Sequence, residues 1–507
     1  MQKGVTCQEL SGTAATNPRA ASGSGWTPRL VLSLVSIALV LEIVSLSSTM
    51  AAVAMMPIGE HFETDQVAWV TTAYLLAAAV ACPLAGKLAD IHGKRKVFLI
   101  AMAIAAVGAL MSAVAPSFLV LVIGRGLFGV LIACMFLGFS LMRDVFPPKT
   151  LALAVSIAAG GMGLMTIPSP FITGLLVDAW GFRSLFWFLL IALAVLAPLV
   201  MLTTPESPVR NNARLDYLGG ALLGGGLATI LAGISFGPSW GWTDGGTLLM
   251  LLGGLALIAI WVPIALRTTD AIVDLRFFRH GPMLRICLSA GFAYGTISLY
   301  ATLVPIMCMT PSVLGLGYGF GVDAKGVGLL QIPMGLGSVI AGIVVGRILR
   351  RTFPTLTLAG GAGLLLLGSV FTAFWHVGKV EVLFGILLFG LGMGATTASI
   401  PNLAIASVPP SVQASMSSMV QASQTLIASI MPVIAFAVLN SNVATAVDGY
   451  GFYTDGSMSV AYLISAASSL VAIVIVLTLH RRHKQITEQV AAQTAAEVPT
   501  REPVVAA

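Results

Sequence analysis

The chain has 507 residues, of which 57% are hydrophobic and only 9% charged, with a mean hydropathy of +0.96 and a formal net charge of +6. A soluble domain is about 45–50% apolar and about 25% charged, so this chain has too little polar surface to cover a water-facing body, and lipid must be the solvent for most of its exterior. The positive balance does not point to a nucleic-acid partner, because the basic residues lie scattered in short segments between apolar runs and are not gathered on one face.

In chain order, residues 1–29 are rich in Ser, Thr, Ala and Gly and too polar for the core of a signal peptide, so a disordered tail is expected. Apolar runs of about 20 residues, the length that crosses a bilayer as a helix, follow at 30–56, 67–86, 97–116, 119–141, 151–177 and 184–203. A linker, 204–283, holds two more at 216–236 and 246–266. Six further runs occupy 284–309, 325–346, 355–375, 381–407, 413–440 and 458–480, and a second polar tail spans 481–507. The predicted fold is an all-α integral membrane protein with fourteen transmembrane helices. Two pseudo-symmetric six-helix bundles, 30–203 and 284–480, flank the inserted hairpin 216–266. Paired six-span repeats imply a binding site between them near the midplane.

The basic residues test the orientation independently, since Lys and Arg accumulate in short cytoplasmic loops. With the N-terminus inside, 22 of the 26 fall on the cytoplasmic side, three (Arg183, Lys325, Lys379) outside, and one, Arg125, within a span. The opposite loops carry Glu60, Glu63, Asp65, Asp244, Asp448 and Asp455. Both termini are therefore expected in the cytoplasm, with the chain in the plasma (inner) membrane.

Two charged residues are predicted inside the bilayer. Glu42 lies near the middle of the first span with no charged neighbour for more than ten residues on either side. An unpaired carboxylate there is costly, and an intramembrane acid is by default a functional site, here a candidate for taking up and releasing a proton; a structural acid hydrogen-bonded within the bundle is the competing reading. Arg125, in LVIGRGLFG, stays charged and must face a partner or water. It is a candidate for the same proton path, the alternative being a structural anion partner.

GKLADIHGKRK, residues 86–96, puts five charged side chains into the turn between the second and third spans. Gly86 and Asp90 are one helical turn apart, Gly93 can take the positive φ that reverses the chain, and Asp90 can cap a neighbouring helix N-terminus or pair with an arginine. Lys94 and Arg95 complete the candidate gating loop. GRILRRT at 346–352 is a weaker echo after a later span. Candidate cavity residues are the membrane polar and soft apolar groups Met55, Met56, Tyr74, Gln331, Asn402, Gln421 and Gln424. The five cysteines are odd in number and lack CxxC spacing, so neither a disulfide nor a metal site is expected.

These residues together resemble the major facilitator superfamily, in particular its fourteen-span drug:proton antiporter branch. Gly86, Asp90, Gly93 and the basic residues after them are similar to the superfamily's loop signature, with Ile91 where a basic residue is usual. WVTTAYLL (69–76), LDYLGGALL (215–223) and VDLRFF (273–278) look like the same branch, and Arg125 matches the fourth-span arginine, with Phe128 replacing a usual Gln. In the first span SSTMAAVAMMP has Ser48 where the branch carries an acid, and Glu42 sits about 120° around the helix and roughly 9 Å from it. The fifth-span antiporter signature is reduced to Pro170 and Gly174 within Ser169-Pro-Phe-Ile-Thr-Gly. The resemblance implies a cytoplasmic gate at 86–96 and proton-coupled export, by alternating access, of an amphipathic or cationic small molecule. Protons and membrane lipid are the other partners; no cofactor and no metal are implied. Uptake or facilitated exchange of a metabolite is the alternative, and a non-transporting membrane protein the more distant one. No Walker loop, HExxH or GxSxG is present to supply an enzyme site.

Overall fold

The computed structural model describes residues 26–496 except 65–66, 68, 162–167, 210–215, 269–270, 272–281, 323, 350–351, 408–412 and 448–449. The side chains of Ser48, Thr49, Val53, Met56 and Pro170 also lie outside the described residues, as do the expected tails at 1–25 and 497–507 and the VDLRFF segment.

Helix α1 (Pro28–Phe62) starts where Thr27 Oγ1 accepts the Leu30 N–H at 3.3 Å, with Pro28 at a first-turn position where a missing N–H costs nothing. Helices α2 (Trp69–His92) and α3 (Lys94–Ala113) are separated only by Gly93, whose φ of 108° turns the chain back on itself in one residue. The fourth predicted span is two helices in line, α4 (Phe118–Gly129) and α5 (Ala133–Val145), joined by a 3₁₀ turn at Val130–Ile132.

The fifth predicted span, 151–177, is not one described helix. It is α6 (Pro148–Gly161) and α7 (Ser169–Trp180) on either side of the undescribed 162–167. Gly160, Gly161, Pro168 and Pro170 crowd this stretch, and proline removes donors from the helical ladder while glycine weakens it. Helix α8 (Arg183–Thr203) follows.

The inserted hairpin is α9 (Tyr217–Trp240) and α10 (Gly245–Arg267). Asp216 and Asp244 cap their N-termini, accepting from the Gly219 and Gly246 N–H groups at 2.8 Å each. The rest comprises α11 (Pro282–Met309), the short α12 (Ala324–Leu330), α13 (Ile332–Ile348), α14 (Pro354–Phe374), α15 (Lys379–Ser407), α16 (Gln413–Asn440) and α17 (Asp455–Ala496). Helix α17 continues beyond the expected end at 480 on a run rich in Ala and Gln, both good helix formers. Between α16 and α17 an antiparallel ribbon, β1 (Val443–Val447) and β2 (Tyr450–Tyr453), pairs Val443 with Tyr453 and Val447 with Tyr450. Among the described residues thirteen helical segments are long and apolar enough to cross a membrane.

Apolar burial is divided along the chain. One cluster draws on residues from Leu34 to Val200, joined only by Ile405 and Ala414. The others draw on residues from Leu223 to Leu479, joined by Ala79. Several crossings connect them, among which α2 packs on α9 and α16, α5 on α16, and α6 on α13 and α15. Where α6 meets α13, a Cβ placed on Gly160 would lie 2.8 Å from the Gly342 Cα, so the two backbones touch there.

Candidate functional site

The loop 86–96 is held on every side. The Asp90 side chain, 2% exposed, reaches the first turn of α16, where the Ala414 N–H, the Ser415 N–H and the Ser415 hydroxyl donate to its carboxylate at 3.1, 2.9 and 2.7 Å. Orphan N–H groups and a partial positive charge make a helix N-terminus a natural seat for a carboxylate. Here the acid lies 325 positions away in sequence from Ser415. Gly86 makes the approach possible, since a Cβ there would sit 2.9 Å from the Ala414 carbonyl oxygen. Arg143, at the end of α5, donates to the Gln413 side-chain oxygen beside it.

The basic residues of the loop have fixed partners, Lys87 donating to the Ala271 carbonyl at 2.9 Å. Lys94 donates to Asp144 at 2.6 Å, both side chains being buried. Glu206 accepts from the Arg95 and Lys96 N–H groups at 2.9 and 3.0 Å, capping α3, whose preceding residue, Gly93, has no side chain to do so. Arg95 Nη1 donates to the carbonyls of Met201 and Thr204, at 3.1 and 2.8 Å, where α8 ends. Sequence reading did not single out Asp144, Glu206 or Arg143. The only local signal was their position at span ends, where a solvated charge is the usual finding.

Deeper in the bundle, Glu42 is 7% exposed. One carboxyl oxygen faces α6, 3.2 Å from where a Gly161 Cβ would stand, and the other, Oε2, has no hydrogen-bond partner among the described residues. Arg125, 1% exposed, donates through Nε to the Val70 carbonyl at 3.3 Å. Its Cζ lies over the Tyr74 ring at 4.8 Å and 5.6 Å from the Phe128 ring, while Nη1 and Nη2 are unpartnered among the described residues. The Tyr74 hydroxyl is hydrogen-bonded to Ser47 on α1. Glu42 and Arg125 thus face different neighbours, α6 and α2, and form no ion pair. The departure Phe128 has a role of its own, its ring stacked beside that of Tyr74 at 6.3 Å and giving the guanidinium a second cation–π contact.

A cavity of about 440 Å³ is walled by α2, α9, α11 and α16, with an adjoining space of about 30 Å³ that reaches α5 and α15. Tyr294, Gln421 and Gln424 line both. Asn402 is spent elsewhere, donating to the Ala398 carbonyl at 2.7 Å and to Ser156 Oγ at 3.2 Å across the α15–α6 crossing. Tyr74 lies against Arg125, Gln331 directly precedes α13, and Met55 is half-buried on α1; none of the three lines these spaces. Gly174 lies half-buried in α7.

A family profile described as the Major Facilitator Superfamily matches residues 35–432. The tetracenomycin C resistance and export protein of Streptomyces glaucescens is 29% identical over 419 residues, covering 79% of this chain and 73% of that one. The multidrug resistance protein B homolog of Mycobacterium tuberculosis is 30% identical over 414 residues, covering 78% and 74%. Among solved structures, the human organic anion transporter MFSD10 aligns with a TM-score of 0.64 over 89% of this chain and 100% of that one; at 14% identity this likeness concerns the fold alone.

Proposed function

The chain belongs to the Major Facilitator Superfamily and is a multi-pass membrane transporter, not an enzyme; from that premise we propose that it exports small amphipathic molecules in exchange for protons, by alternating access across the plasma membrane. Relatives named for antibiotic export and multidrug resistance support the outward direction. In this reading residues 30–203 and 284–480 are two bodies that rock about the cavity, both termini are cytoplasmic, and the Asp90 contact with α16 is the cytoplasmic gate in its closed position. The basic residues around 86–96 and 346–352 support that sidedness.

The observation that carries the proposal is the position of Glu42. A carboxylate enclosed without a partner is costly, so a cycle in which Glu42 accepts a proton before it is enclosed, and releases it once water reaches it, links protonation to the shape of the bundle. Its neighbour is Gly161, and the next residue back, Gly160, is the point where α6 touches α13. The charge on Glu42 is therefore felt at a crossing that must shift when the bodies rock. Arg125, over Tyr74 and within reach of Ser47 through it, holds α1, α2 and α4 in register around that acid. One charge moving across the membrane is worth about 2.3 kcal/mol per 100 mV, enough to sustain a useful gradient.

The test uses proteoliposomes with an imposed pH gradient, an entrapped pH dye, and the uncharged 1,4-dihydroxyanthraquinone and the cation ethidium as probes. Probe-dependent proton movement is expected for the parent and its loss in Glu42→Gln, with probe binding retained. Full proton-driven transport by Glu42→Gln ends the role given to that residue. Efflux from cells that persists after the proton gradient is collapsed ends proton-coupled export.

A further inference from the structure

The cavity wall contributed by α16 is polar in a regular way. Gln421, Gln424, Thr425, Ala428 and Ser429 follow the spacing of one helix face, and all line the cavity. In hydrocarbon such a stripe is tolerated only where it meets protein or water, and here it meets an open space. Its hydrogen-bonding capacity is unevenly spent. Thr425 and Ser429 donate to the carbonyls one turn back, at 3.0 and 2.8 Å, so only their lone pairs face outward. The side-chain amides of Gln421 and Gln424 and the Tyr294 hydroxyl make no hydrogen bond among the described residues. They offer both donors and acceptors, from two helices, toward one volume.

Charge is what the site lacks. None of the described residues lining either space is acidic or basic. The intramembrane carboxyl, Glu42, faces α6 instead. A permanent cation entering here loses its water and meets no counter-charge, a penalty that amide dipoles only partly offset. A flat uncharged molecule loses much less: Phe136, Phe139 and Tyr294 supply ring faces at the narrow end, and the glutamines supply paired donors and acceptors for groups on its edge.

We propose that Tyr294 and the Gln421–Gln424 stripe form a recognition site for uncharged planar molecules bearing both carbonyl and hydroxyl groups, and that the site discriminates against permanent cations. This narrows the amphipathic-or-cationic expectation to its uncharged part, and it rests on the transporter reading only for what becomes of the bound molecule.

The experiment is equilibrium dialysis of the purified full-length chain in detergent micelles, with protein-free micelles subtracted, using 1,4-dihydroxyanthraquinone and ethidium. The uncharged probe is expected to bind the parent at least tenfold more tightly than ethidium. Gln421→Leu/Gln424→Leu is expected to weaken it about tenfold and Tyr294→Phe a few-fold, as the loss of net hydrogen bonds predicts. Ethidium binding equal to or tighter than the uncharged probe overturns the proposal, as does undiminished binding of the uncharged probe by a folded double variant. If that variant fails to fold, as judged by gel filtration, the parent's preference alone decides. Selective binding without proton-driven movement leaves this site standing and removes the coupled-transport reading. Proton-driven movement of both probes without selective binding does the reverse.

Discussion

Replacing Asp90 by Asn keeps the shape of the side chain and removes the charge from the contact between α2 and α16. Three donors converge on that carboxylate, the Ala414 N–H at 3.1 Å, the Ser415 N–H at 2.9 Å and the Ser415 hydroxyl at 2.7 Å. A hydrogen bond to a charged group is worth about 1 kcal/mol more than its neutral counterpart, and a partly buried charge at a helix N-terminus up to about 2 kcal/mol. The asparagine retains one acceptor and turns its NH₂ toward donors, so the closed contact loses roughly 2–4 kcal/mol, a shift of about 30- to 700-fold in its population at about 1.4 kcal/mol per tenfold. Ser418 reports the change: it is fully buried and its Cβ would lie 3.0 Å from a Cβ on Gly86, so it is shielded only while α2 and α16 touch. The assay is the rate at which a membrane-impermeant thiol reagent modifies Ser418→Cys in inside-out vesicles, with and without Asp90→Asn. The native cysteines described, Cys82, Cys134, Cys287 and Cys308, are buried. An increase of tenfold or more is expected, and an unchanged rate, with the parent protected, refutes the argument that this carboxylate holds the end shut.

Lys94→Met leaves Asp144 buried without its cation and is expected to cost about 3–5 kcal/mol, with most of the thermal stability restored in Lys94→Met/Asp144→Leu; a double variant no better than the single one contradicts the pairing. Gly93→Ala forces a side chain into φ 108° and to within 2.9 Å of the Glu206 carboxyl carbon, costing about 1–3 kcal/mol, seen as an unfolding midpoint in detergent lower by roughly 2–6 °C. Gly160→Leu separates α6 from α13 and is expected to abolish probe transport in a protein that still elutes as a folded species, so wild-type transport by this variant refutes the crossing's part in the cycle.

Some of this was legible locally. Hydropathy located most helices to within a few residues, including the α15–α16 boundary at 407–413, because a residue's preference for lipid is nearly independent of its partners. The fifth span, expected at 151–177, is described only as α6 and α7, with 162–167 between them outside the described residues. The β1–β2 ribbon is not legible because so short a stretch as Val443 to Tyr453, between spans, carries too weak a period to stand out. Of the cavity candidates, Gln421 and Gln424 share a helix face with the cavity, whereas Asn402 is drawn to Ser156 by a crossing that no local pattern announces.

By itself the sequence determined that the chain lives in lipid, that it resembles one transporter superfamily, and that Asp90 sits where an acid can cap a helix. Those are properties of composition and short-range order. Only the tertiary structure decided which helix Asp90 caps, that Asp144 pairs with Lys94 and Glu206 caps α3, that Glu42 and Arg125 look away from each other, and which glutamines face the cavity. Each of these depends on helices distant in sequence coming close together, by 50 positions for Lys94 and Asp144 and 325 for Asp90 and Ser415, and that distance is set by the packing of whole helices, not by any residue's own preference.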